Sequence, residues 1–127
     1  MMTILKGGGL TVRQTASIEL FLRQLKLFVE KNSIIIVKRE ASVQFLASRG
    51  VSARGLEEII LNLTTADCFD GPEPDRDPRY ADKWTVAEFA PLFLGERLYL
   101  KVSIRTDVER AKCLSVKAYV ERRGSDE

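Results

Sequence analysis

From Leu98 to Ile104 apolar and polar side chains alternate without a break. The two-residue period of a β-strand places Leu98, Leu100, Val102 and Ile104 on a core face and Tyr99, Lys101 and Ser103 on the other. Cys113 to Val120 repeats the pattern, which predicts Leu114, Val116, Ala118 and Val120 inward and Ser115, Lys117 and Tyr119 outward. The connection from Arg105 to Lys112 has the length that joins antiparallel neighbours, so Tyr99, Lys101, Ser115 and Lys117 are expected on one surface of one sheet. Trp84 to Leu94 predicts a third antiparallel strand, with Ala87 and Phe89 on one face, Val86 and Glu88 on the other, and a turn at Leu94-Gly95-Glu96.

Helical spacing governs the first half of the chain. Ile18, Phe21, Leu22, Leu25, Phe28 and Val29 recur along one stripe of Ser17 to Lys31, which predicts the main packing helix. Residues 1–16, with Gly7-Gly8-Gly9, read as an irregular lead-in with a short strand at Leu10 to Arg13. The β-branched run from Ser33 to Arg39 predicts a buried strand that emerges into solvent at Lys38-Arg39. A short helix over Arg39 to Arg49 closes at Gly50, and Ser52 is a good N-cap for a further helix that buries Leu56, Ile59, Ile60 and Leu63. Two short helices about a tight turn suit a helix-turn-helix, but Glu57 and Glu58 on the second would repel a phosphate backbone. Thr65 to Pro78 is dense in proline and acid and reads as a surface loop, and 121–127 as a frayed polar tail.

These elements fit one domain over residues 1–127, long enough for a two-layer core. A hydrophobic share of 45% with 30% charged residues is that of a globular protein, and the longest apolar run, Ile34 to Val37, is too short to span a bilayer. With no signal-peptide pattern and two isolated cysteines, Cys68 and Cys113, a cytoplasmic location with reduced thiols is expected. The chain has no histidine, which removes the commonest metal ligand and the commonest acid–base group at neutral pH. No metal or cofactor is expected.

Charge adds a weaker signal. The net charge of +2 divides into +4 over residues 1–63 (nine basic, five acidic), −4 over 64–95 (three basic, seven acidic) and +2 over 96–127 (eight basic, six acidic). Local basic zones permit nucleic-acid binding without requiring it. On the expected sheet surface, two lysines and a tyrosine with no carboxylate among them suit a phosphodiester better than a cation. The same residue types also serve simply to solvate a sheet face.

The order of several short motifs resembles the MqsR family of toxins from bacterial type II toxin-antitoxin systems. The likeness runs from about Lys38 to Tyr119. It rests on Leu63-Thr64 followed by Asp67, Gly71-Pro72-Glu73-Pro74-Asp75, the Trp84 to Pro91 strand with Glu88-Phe89, Leu98-Tyr99-Leu100-Lys101, and Ser115-Val116-Lys117. The resemblance implies an α+β fold of the RelE-like ribonucleases, with helices packed on a curved antiparallel sheet. It also implies metal-independent cleavage of messenger RNA, and a cognate antitoxin as partner beside the RNA substrate. The family's active-site tyrosine falls on Tyr99, its basic partner in the Tyr-x-Lys pattern on Lys101, and the lysine of the terminal strand on Lys117. The best-studied branch carries a lysine about where Asp70 stands and a glutamine near Thr85, so neither role carries over, and Cys68 replaces a common aromatic residue.

Cleavage of RNA without metal requires activation of the ribose 2′-hydroxyl, charge stabilisation on the phosphate and protonation of the leaving 5′-oxygen. Lys101 and Lys117 are the expected phosphate-holding cations, and like-charge clustering would ease proton exchange by one of them or by Tyr99. Glu88 is a candidate base if its strand face joins the site. Lys38, Arg39 and Arg105 are candidates to track the RNA backbone. The alternative is a non-catalytic binding protein, either a decayed toxin or a small helix-turn-helix DNA-binding domain.

Overall fold

The computed structural model describes residues 11–120. Helix α1, Val12–Asn32, starts at Thr11, whose hydroxyl accepts from the Gln14 N–H while the Gln14 side chain accepts from the Thr11 N–H. This reciprocal capping box satisfies two orphan donors and starts the helix five residues before Ser17, where an irregular lead-in was expected. Of the strand expected at Leu10 to Arg13, Val12 and Arg13 are helical; Leu10, the rest of the lead-in and 121–127 lie outside the described residues. The stripe from Ile18 to Val29 is buried as its spacing dictates.

Strand β1, Ile35–Ile36, is only two residues long, and Ile35 is exposed. The β-branched run is therefore a short sheet edge where a buried strand was expected, because the chain turns away into α2, Glu40–Ser48, and that helix takes the next place beside the sheet. Gly50 stops α2 with positive φ, and Ser52 caps α3, Ala53–Leu61, by accepting from the Gly55 N–H. A 3-10 turn at Thr65–Asp67 leads into β2, Cys68–Pro74. A surface loop was expected there. Pro72 and Pro74 cannot donate to a ladder, but β2 is a sheet edge and pairs on one side only, so the missing donors cost little.

The remaining strands are β3, Thr85–Phe89, β4, Leu92–Phe93, β5, Glu96–Arg105, and β6, Arg110–Ala118. The expected Trp84 to Leu94 strand is thus two pieces, broken at Ala90-Pro91, and β4 forms a small hairpin with β5. The sheet runs β1-β6-β5-β3-β2. Strands β2, β3, β5 and β6 are antiparallel, whereas β1 pairs parallel to β6, so the sheet is mixed rather than wholly antiparallel. The fold is α+β.

Helix α1 covers the apolar face against β2, β5 and β6, with the Phe21 and Phe89 rings stacked 6.2 Å apart. Leu98, Leu100, Val102 and Ile104 are all buried, as the alternation demands. Each such side chain removed from water contributes roughly 1.5–3 kcal/mol, so this face fixes which side of β5 meets solvent. In β6 the alternation slips. Lys101 pairs with Ser115 and Val102 with Cys113, which leaves Leu114 as the extra residue of a β-bulge. Cys113 and Val116 therefore enter the core, Leu114 turns to the opposite side where an inward position was expected, and Val120 lies beyond the strand, exposed. Near the bulge the buried Ser42 hydroxyl of α2 accepts from the Val116 N–H at 3.1 Å, tying helix to strand.

Candidate active site on the open sheet face

The face of the sheet away from α1 is built of transverse rows set by strand register. One row runs Asp70, Glu88, Lys101, Ser115 across β2, β3, β5 and β6, each in register with the next. The row above it pairs Tyr99 with Lys117, and the Lys117 ammonium lies 5.0 Å from the centre of the Tyr99 ring. The row below holds Glu73, Val86, Ser103 and Lys112. Alternation along β5 spaces successive rows by roughly 7 Å.

The structure brings Tyr99, Lys101 and Lys117 onto one surface, and it sets two carboxylates in register beside them: Glu88, the conditional candidate base, and Asp70, which was not expected there. Glu88 joins the site because its strand pairs β5 directly, and Asp70 joins because residues read as loop form β2. Arg76 holds the outer carboxylates, 3.6 Å from Asp70 Oδ2 and 3.1 Å from Glu73 Oε2. Burial, then the charge and hydrogen-bonding capacity of Glu88, then Asp70, push the Tyr99 phenol up to about 12, against a smaller opposing effect of Arg39. At neutral pH Tyr99 is a hydroxyl donor and not a base.

Below this cluster a cleft of about 350 Å³ is lined by Arg39, Glu88, Lys101, Lys112, Leu114 and the Asp75–Tyr80 segment, among others. The Lys112 ammonium lies 4.0 Å from the Trp84 ring centre and 5.1 Å from that of Tyr80. Ser103, expected on a solvated face, is buried in register with Val86 and Lys112, and its hydroxyl has no partner among the described residues. The Tyr80 and Trp84 rings lie against Lys112 at the end of this row.

The three backbone-tracking candidates separate. Arg39 lines the cleft. Lys38 is exposed next to it and is not part of the lining. Arg105 ends β5, six residues from Tyr99 and so roughly 20 Å away along the strand, where its guanidinium binds Asp107 at 2.7 Å. Phe69 and Asp70 are hidden in the sequence because β2 has an irregular register and a loop-like composition, and Lys112 because it precedes the alternating pattern that starts at Cys113. Thr85 opens β3 opposite Ile104, away from Tyr99.

Among the described residues no group of three or more His, Cys, Asp or Glu converges to hold a metal ion, and no helix is long and apolar enough to cross a membrane. Cys68 is half-buried, and burial first of all raises its thiol to about 11, so it is not a nucleophile at neutral pH. The second helix of the supposed helix-turn-helix is committed elsewhere: Glu57 accepts from the Ile34 N–H at 3.0 Å, and Leu56, Ile59 and Ile60 are buried. No protein-family model matches the chain, and no curated protein is significantly similar to it.

Proposed function

We propose that this chain is a metal-independent endoribonuclease, a RelE-like toxin of the MqsR kind that is held in check by a cognate antitoxin. One observation carries the reading: Glu88, Lys101, Tyr99 and Lys117 occupy adjacent register positions on one open sheet face. These are a base, a phosphate-binding cation, a protonated hydroxyl and a second cation, within the span of one nucleotide. In the proposed step Glu88 accepts the proton of a ribose 2′-hydroxyl as its oxygen attacks the adjacent phosphorus. Lys101, with Arg39 from the cleft, carries the charge that builds on the phosphate oxygens. The bond from phosphorus to the 5′-oxygen breaks, and Tyr99 gives its proton to that oxygen. The Lys117 ammonium over the ring then stabilises the tyrosinate until Tyr99 regains a proton. The products are a 2′,3′-cyclic phosphate and a 5′-hydroxyl.

Incubation of the purified chain with single-stranded RNA in excess chelator tests the chemistry. Cleavage with those two end groups is expected, and intact RNA under all conditions would refute it. Expression of the chain alone should arrest growth, and co-expression of the product of the adjacent reading frame should relieve the arrest. Arrest that the neighbour fails to relieve counts against the partner.

A further inference from the structure

Phe69 is out of place for a phenylalanine. Phe21, Phe28 and Phe89 are buried, yet the Phe69 side chain is 48% exposed among the described residues, on edge strand β2 one residue before Asp70. Its ring is not loose. The Tyr99 ring lies against it at 6.0 Å between centroids, tilted by 51°, and the Tyr119 ring at 5.8 Å, edge-on at 75°. Two rings thus brace a third from different directions, and the exposed part of Phe69 is presented to solvent with little rotamer freedom left to lose on binding. Cations stand beside it: Lys117 over Tyr99, and Lys101 one row further along.

Exposed aromatic faces held rigid beside phosphate-binding cations are how proteins grip unpaired bases, because every base offers a π-face for stacking while the cations track the backbone. We infer that Phe69, braced by Tyr99 and Tyr119, is a stacking subsite for one unpaired nucleobase of the substrate, next to the phosphate held at Tyr99 and Lys101. The inference rests on the ribonuclease reading and adds to it a substrate requirement. The nucleotide at this subsite must be single-stranded, and its base, not its sugar or phosphate, contributes the affinity. Phe69 is then a binding and specificity residue, outside the proton transfers.

The test measures binding, not cleavage. The full-length chain is titrated with a short 2′-O-methyl oligoribonucleotide of mixed sequence, which lacks the attacking hydroxyl, and with a panel in which each nucleotide in turn is abasic. One abasic position is expected to weaken binding roughly tenfold, the scale of losing one base–aromatic stack. In Phe69→Leu the intact oligonucleotide should bind about as weakly as that abasic one, with no further penalty from the abasic site, whereas Phe69→Trp should restore the native profile. Leucine keeps apolar surface and loses the π-face, so Phe69→Leu binding as tightly as the native chain overturns the subsite and points to an apolar protein-docking patch instead. An abasic penalty that persists in Phe69→Leu, or tight binding indifferent to every abasic position, also overturns it and leaves the nuclease reading standing. Failure of the native chain to bind any oligoribonucleotide overturns both.

Discussion

Tyr99 and Lys117 are direct cross-strand partners on β5 and β6, and the Lys117 ammonium lies 5.0 Å from the centre of the Tyr99 ring. A cation over a phenol ring favours the tyrosinate that forms when the hydroxyl surrenders its proton. If the pair acts in the transition state, Tyr99→Phe and Lys117→Ala should each lower turnover by about 10²-fold or more. The double substitution should cost far less than the product of the two single effects, since they serve one step. Lys117 is exposed and Tyr99→Phe keeps the ring, so circular dichroism should show the fold intact. Undiminished cleavage by the double variant would rule the pair out.

Glu88 and Lys101 are neighbours in register but should fail differently. On the proposed mechanism Glu88→Gln removes the base together with a negative charge, so turnover should fall by about 10²-fold while RNA affinity holds or rises. Lys101→Ala removes the proposed phosphate contact, so affinity itself should weaken and the slope of log affinity against log salt should shrink by about one. Binding isotherms at several salt concentrations, with single-turnover rates, separate the two.

Gly71 has φ of +83°, and a Cβ there would stand 2.6 Å from the Val86 carbonyl oxygen and 3.0 Å from Ala87 Cα. Strand β2 can lie this close to β3 only without a side chain at that point. Gly71→Ala should destabilise the fold by about 2 kcal/mol or more, read from urea unfolding, through left-handed strain plus the clash with backbone. Because Phe69 and Asp70 ride on the same strand, RNA binding should weaken as well.

Alkali should destabilise the protein through its two thiols, Cys113 buried and Cys68 half-buried. Burial pushes Cys113 from its ordinary 9.0 up to about 12 and Cys68 up to about 11. The folded chain therefore keeps protons that the unfolded chain loses from pH 9 upward. This contribution to stability is complete below that value and is lost as pH rises through the two folded values. Urea midpoints measured from about pH 8 to pH 11 should fall, and Cys113→Ala, though less stable at neutral pH for its small cavity, should fall less steeply.

Most of the core was legible because burial on a helix or a regular strand follows a period. Ile18 to Val29 on α1 and Leu98 to Ile104 on β5 lie where their 3.6- and two-residue spacings put them. The errors fall where the backbone leaves that period. A bulge turns Leu114 from the expected core to the cleft, and an irregular proline-bearing edge strand hides β2 inside a loop-like composition. The Thr11-Val12-Arg13-Gln14 capping box starts α1 ahead of its apolar stripe.

The sequence by itself determined the α+β class and the solvent side of β5, since both follow from local periodicity and the large free energy of burying one face. It also put Tyr99 and Lys117 on one surface, because each lies on the polar side of an alternating strand, whereas the β-bulge at Leu114 set them directly opposite each other. Only the tertiary structure decided what stands beside that pair. Asp70 joins the Lys101 row through β3, Phe69 of β2 meets Tyr119 just past β6 with β3 and β5 between those strands, and the Trp84 ring lies over Lys112. Those contacts depend on strand order and register across the whole sheet, and no local period encodes them.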